Sequence, residues 1–156
     1  MSSERLTKAL RRKIFERAKG RCEYCLSPAK YALHPFEADH IVPRSKGGST
    51  SLENLALSCG CHRFKAAHTY ARDPKTGRLV RLFNPRKDKW TRHFRWSEDL
   101  SQIIGITAIG RATVSVLRLN RQELIELRRL LILVGEHPAQ RTTNAKPSKK
   151  ARGVRK

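Results

Sequence analysis

The sequence predicts an α+β fold, and three observations carry that prediction. Near the N-terminus Leu6, Leu10 and Ile14 recur four residues apart, the spacing of one helical face. Two short segments, Phe36 to Val42 and about Leu55 to Leu57, read as strands, with the loop sequence PRSKGGS between them. The four cysteines fall into two close pairs, Cys22 with Cys25 and Cys59 with Cys61. In a chain without a secretory signal such pairs read as metal ligands rather than disulfides.

The first helix is expected from about Ser3 to Lys19, with Ser3 capping its start and Phe15 and Ala18 flanking the apolar face. Gly20 ends it, since the residue after a helix often takes the left-handed conformation. A CxxC knuckle follows at Cys22 to Cys25, then a loop through Pro28 and Pro35, then the two strands. A helix is expected from about Cys61 to Tyr70. Asp73-Pro74-Lys75-Thr76-Gly77 is a turn sequence leading into a strand at Arg78 to Phe83. After a loop at Asn84 to Asp88, further strands are expected at His93 to Trp96 and Gln102 to Ile106. Thr107 caps a helix from Ala108 to Leu119. Asn120 and Glu123 have the spacing of a capping box for a last helix, Arg121 to Leu133, with Leu124, Leu127, Leu131 and Val134 on one face. The divisions are therefore an N-terminal helix at 1–19, a core at 20–72, a C-terminal extension at 73–136 and a basic disordered tail at 137–156.

Charge narrows the class of partner. Lys and Arg number 34 against 13 Asp and Glu, a net charge of +21 over 156 residues. Solubility needs no such excess of one sign, and an anionic polymer is the expected partner. The apolar runs around Ile103 to Ile109 and Leu130 to Val134 are too short to span a bilayer. MSSERLTKALRRK has no apolar signal-peptide core, so a cytoplasmic location is expected.

The stretch EADHIVPRSKGGSTSLENLALSCGCHRFKAAH, Glu37 to His68, sets Asp39-His40, Asn54 and Cys61-His62 around a Gly-rich basic loop. With Cys22 and Cys25 upstream, this order and spacing resembles the HNH family of metal-dependent endonucleases. The likeness extends through DPKTGRLVRLFNPRKDKWTRHFRW and GRATVSVLRLN, which resemble the C-terminal extension of a group of bacterial HNH proteins. It covers roughly residues 5 to 134 and is strongest over 20 to 68. The resemblance implies a ββα-metal core with an N-terminal helix, a structural zinc site and a small C-terminal α/β extension.

The chemistry implied by that resemblance assigns the site residues. Hydrolysis of a phosphodiester needs a base for water and positive charge at the phosphorane and the departing oxygen. Imidazole titrates near working pH, and His40 matches the general base. Asp39 and His62 match the ligands of a catalytic divalent cation, Mg²⁺ or a similar ion. Asn54 matches the residue that pins the long loop and so orients the base. In the loop Arg44 and Lys46, and on the following helix Arg63 and Lys65, are the expected nucleic-acid contacts. Double-stranded DNA is the expected substrate, cut to 5′-phosphate and 3′-hydroxyl ends.

Zinc is expected at Cys22, Cys25, Cys59 and Cys61. The second pair is CxC, one residue shorter than the family's CxxC, so Cys59-x-x-His62 is the alternative that would remove a catalytic ligand. His34 and His68 read as surface or structural residues. His93 is expected on the strand face opposite Phe94 and Trp96, an aromatic pair more suited to packing than to base stacking; Trp90 is likewise assigned to packing. The rival functions are a zinc-stabilised nucleic-acid-binding module without turnover and a secreted nuclease toxin, the latter lacking the export and receptor domains it needs.

Overall fold

A computed structural model describes residues 5–139 of the chain. Its elements run α1 (Lys8–Arg17), β1 (Glu37–His40), β2 (Leu55–Ser58), α2 (Cys61–Lys65), β3 (Tyr70–Arg72), β4 (Leu79–Arg81), α3 (Trp90–His93), β5 (Phe94–Trp96), β6 (Ile103–Gly105), α4 (Ala108–Val116) and α5 (Gln122–Leu133). The described strands form three separate antiparallel pairs, β1–β2, β3–β4 and β5–β6. The fold is α+β with a ββα unit at β1, β2 and α2.

Helix α1 starts later than Ser3, which lies outside the described residues. Thr7 is its cap, its hydroxyl accepting from the Leu10 N–H at 3.1 Å. The helix ends as expected near Gly20, whose φ of +66° follows a left-handed Lys19. Ile14 is fully buried against Leu55 and Leu57, which joins α1 to the back of the hairpin. Arg17 completes the joint by donating to the Leu52 carbonyl at 2.6 Å and pairing with Glu23 at 3.3 Å.

In the hairpin Glu37 pairs with Ser58, Ala38 with Leu57, Asp39 with Ala56 and His40 with Leu55. All four β2 residues are buried. Helix α2 is shorter than its sequence suggests. Ala66 takes φ +48° and stops it, because Tyr70 is needed in an extended pairing with Arg81. The turn after β3 is fixed by Asp73, which accepts from Thr76 and Lys75 and receives both Arg111 guanidinium bonds at 2.8 Å. Those Arg111 hydrogen bonds hold the Asp73 carboxyl well below the usual carboxylate range.

Three expectations in the extension are corrected. His93 closes the short helix α3 rather than starting a strand, with its Nδ1 2.7 Å from the Thr107 hydroxyl. Asn120 does not cap α5. Its amide instead clasps the Ile103 backbone, accepting from N–H and donating to C=O at 2.8 Å each. On α5 the buried residues are Leu124, Arg128 and Leu131, while Val134 is 67% exposed. Arg128 sits one turn after Leu124 and is tolerated inside because it donates to the Ser101 and Leu119 carbonyls. Thr107 caps α4 as its position suggests, accepting from the Gly110 N–H. Trp90 packs on Phe94 and Trp96 and donates to the Tyr24 carbonyl. The tail expected from His137 starts with packed residues. His137 is buried against Trp96 and bonded to the Leu100 carbonyl, and residues 140–156 lie outside the described part.

One apolar cluster joins Cys22, Tyr24, Cys25, Cys59 and Cys61 to Leu82, Phe83, Phe94, Ile103, Leu117, Leu119 and Leu124. The knuckle thus shares its core with residues from β5, β6, α4 and α5. A chain cut after Asp99 loses Ile103, Leu117, Leu119 and Leu124 from that cluster and is expected to show no cooperative thermal transition. A sharp transition in the truncated chain would contradict a shared core.

Candidate active site and metal centre

The site is built where the hairpin ends and α2 begins. Cys22 and Cys25 come from the knuckle after α1, Cys59 from just past β2 and Cys61 from the first position of α2. All four are buried, and their sulfurs lie within 4.8 Å of one another. Cys22 to Cys61 is 3.8 Å, Cys25 to Cys59 is 3.5 Å and Cys59 to Cys61 is 2.8 Å. Sulfurs at the corners of a zinc tetrahedron stand about 3.8 Å apart, from Zn–S bonds of about 2.3 Å. The donor set fits a structural metal such as zinc. Burial pushes the Cys22 thiol well up, while hydrogen bonds from neighbouring thiols pull Cys25 down; a zinc ion would hold all four as thiolates. Arg121, at the start of α5, lays its guanidinium over the cluster, with Nη2 3.6 Å from the Cys59 sulfur and Nη1 3.9 Å from that of Cys61. The shortened CxC spacing is accommodated, and Cys61 rather than His62 joins the cluster.

His62 turns the other way. Its Nδ1 lies 2.7 Å from the Cys59 carbonyl and its Nε2 lies 3.0 Å from Glu37 Oε2. Glu37 and Asp39 are two apart on β1 and so share a strand face. Asp39 is only 8% exposed. Its Oδ2 accepts from the Tyr24 hydroxyl at 2.7 Å and pairs with Lys65 Nζ at 3.1 Å. Burial, and after it the Asp39 charge, push the Tyr24 phenol well up, which keeps it a donor. Lys65 also donates to the His40 carbonyl at 2.9 Å. The sequence reading placed Lys65 against a phosphate; its ammonium is instead 2% exposed and ties α2 to the end of β1.

His40 is the last residue of β1 and projects to the face opposite Asp39. Its Nε2 lies 2.9 Å from the Thr50 hydroxyl. Burial lowers its pKa, partly offset by Asp39 and reinforced by Arg44 and Lys65. The ring is therefore neutral at neutral pH, the state a base requires.

Asn54 ties the ends of the loop between the strands. Its Oδ1 accepts from the Val42 N–H and its Nδ2 donates to the Val42 and Ser49 carbonyls, each at 2.9 Å. Gly48 lies against this clasp so closely that a Cβ there would stand 1.7 Å from the Val42 oxygen. The second glycine of the loop is thus needed for close approach to protein backbone. Arg44, Lys46 and Arg63 are exposed, and Lys46 reaches the Thr69 hydroxyl at 3.4 Å. A cleft of about 470 Å³ beside the loop is lined by Lys46, His68, Arg81 and Lys87.

Residues 22–67 match the family described as HNH endonuclease. The likeness to the HNH family is that of this segment, 46 of the 156 residues. No curated protein and no solved structure matches the chain. The HNH match spans both cysteine pairs, the hairpin, the loop and α2.

Four contributors to the HNH site were not singled out from sequence. Glu37 was within reach, because i and i+2 on a strand share a face. Thr50 lies ten residues from His40 within a loop and carries no local signal. Tyr24, inside the knuckle, meets Asp39 only through folding, and Arg121 is remote from the cysteines it covers.

The Asn54 clasp makes a direct prediction. Asn54→Ala removes the solvent-exposed bonds to Val42 and Ser49 and is expected to cost about 0.5–1.5 kcal/mol in urea unfolding. An unchanged unfolding midpoint would contradict the clasp.

Proposed function

We propose that the protein is a metal-dependent endonuclease hydrolysing DNA phosphodiester bonds, with His40 as the general base. The observation that carries this reading is His40 itself. It is held neutral by burial, anchored by Thr50 and set at the mouth of a loop clasped by Asn54. In this reading His40 takes a proton from water as its oxygen attacks phosphorus, and the bond to the 3′ oxygen breaks to leave 5′-phosphate and 3′-hydroxyl ends. Arg44, Lys46 and Arg63 hold the flanking phosphates, in keeping with the net charge of +21. Double-stranded DNA is the proposed substrate.

The donor chemistry on the α2 side fits a divalent cation. Glu37 and Asp39 share one strand face and His62 Nε2 is turned toward it. His62 and Asp39 are the proposed holders of Mg²⁺ or a similar ion, which would supply positive charge to the phosphorane and the departing oxygen. Asn54 contributes by restraining the loop that carries Thr50, and so the base. The cysteine cluster supports the same site from behind with a structural zinc.

A second reading is favoured by a specific observation. Asp39 is satisfied internally by Tyr24 and Lys65, and both His62 nitrogens are engaged. Such an arrangement also suits a zinc-stabilised nucleic-acid-binding protein without turnover.

The test is nicking of supercoiled plasmid in Mg²⁺, Mn²⁺ or EDTA, comparing wild type with folded, zinc-loaded His40→Ala. The nuclease reading expects metal-dependent nicking that falls by about 10²-fold or more in the variant. In wild type the rate should rise from acid pH with an apparent pKa below the ordinary imidazole value of about 6.5, since the lowered His40 must lose its proton to work. Tight DNA binding without nicking in either protein would establish the binding module instead.

A further inference from the structure

The Glu37–His62 pair sets a carboxylate oxygen and an imidazole nitrogen 3.0 Å apart at the surface between β1 and α2. The Cys59 carbonyl can only accept, so the His62 Nδ1 2.7 Å away carries the hydrogen. In a neutral imidazole this leaves a lone pair on Nε2, and that lone pair faces Glu37 Oε2 at 3.0 Å. Two acceptors at hydrogen-bond distance repel; a proton or a metal cation held between the two atoms turns this repulsion into attraction, and the Mn²⁺ experiment below separates the two.

We propose that Glu37 is a direct ligand of the catalytic divalent cation, which binds between its carboxylate and His62 Nε2. The inference rests on the nuclease reading of the same site. Three features support it. Ligand atoms at adjacent corners of an octahedron with bonds of about 2.1 Å are about 3.0 Å apart, the separation observed here. An Nδ1–H bonded to a backbone carbonyl is the usual way of fixing a metal-binding imidazole with Nε2 outward. Here that carbonyl belongs to Cys59, so the thiolate cluster orients the catalytic ligand through one hydrogen bond.

Access points the same way. The Glu37 side chain is 54% exposed, whereas that of Asp39 is 9% exposed. Glu37 and His62 line one cavity of about 360 Å³ together with Arg63 and Arg121. A cation bound there has room for water and a phosphate oxygen beside its protein ligands, as Mg²⁺ and Mn²⁺ prefer. The Asp39 carboxylate is engaged by Tyr24 and Lys65, whereas that of Glu37 faces His62. Glu37 is the carboxylate that meets His62 directly, and Asp39 is the next residue on the same strand face.

The test is Mn²⁺ binding to the full zinc-loaded chain, read from the paramagnetic resonance signal of free Mn²⁺. Wild type is compared with Glu37→Gln, Glu37→Ala and His62→Ala, each matched for zinc content and circular dichroism. Wild type should bind one Mn²⁺ beyond zinc. Both Glu37 variants should weaken it by about tenfold or more, the loss seen even for outer-shell partners of metal-binding histidines. A wild type that binds Mn²⁺ and nicks plasmid, with both Glu37 variants binding Mn²⁺ as tightly, would overturn the role of Glu37 and leave the nuclease reading standing. Absence of Mn²⁺ binding and of nicking in wild type would overturn both.

Discussion

The structure depends on four sulfurs being held at one point. The cluster of Cys22, Cys25, Cys59 and Cys61 draws together the knuckle after α1, the end of β2 and the start of α2. None of these segments is long enough to be stable alone: β2 has four residues and α2 five. A metal such as zinc at this point would couple its binding free energy to folding. The extension then closes over the cluster. Arg121 places positive charge beside two of the sulfurs, and the guanidinium groups of Arg118 and Arg121 lie over the Phe64 ring on α2. The segment after β4 is therefore part of what positions the HNH site.

A second constraint orders the two faces of β1. Buried Lys65 joins Asp39 and the His40 carbonyl, so one side chain of α2 sets the position of both residues of the Asp-His pair. Such a buried pair contributes little net stability, because desolvation offsets the Coulomb attraction. Its effect is to fix register: a slip of one residue in β1 would strand the ammonium inside without its acceptors. Asn54 does the corresponding work for the loop, and Thr50 then meets the His40 ring from that restrained loop. The His40 ring is thus held by the loop, and the α2 face of the strand by Lys65 and Tyr24.

Much of this was legible in the sequence because it rests on local patterns. The ββα order follows from the two short strand segments flanking the Gly-rich loop and the Cys-His pair after them; the N-terminal helix follows from Leu6, Leu10 and Ile14. Thr107 as a cap was readable from its position before an apolar helical run. What was not legible depends on partners distant along the chain. Asn120 has capping spacing, yet the Ile103 backbone competes for its amide and prevails. Lys65 looked like a surface cation because nothing nearby in sequence announces that Asp39 lies above it. Arg128 falls on the apolar stripe of α5 and is buried only because the Ser101 and Leu119 carbonyls converge on it. The CxC spacing left two ligand sets open, and only the position of His62, drawn to Glu37 and the Cys59 carbonyl, separates them.

The central claim is that the four cysteine sulfurs, with no imidazole, would hold the structural metal and that His62 lies outside that set. Zinc K-edge X-ray absorption on the full chain tests it most directly. The account predicts a first shell of four sulfurs at about 2.3 Å and no nitrogen scatterer. A shell of three sulfurs and one imidazole nitrogen would contradict it, placing His62 in the knuckle and removing it from the cation site.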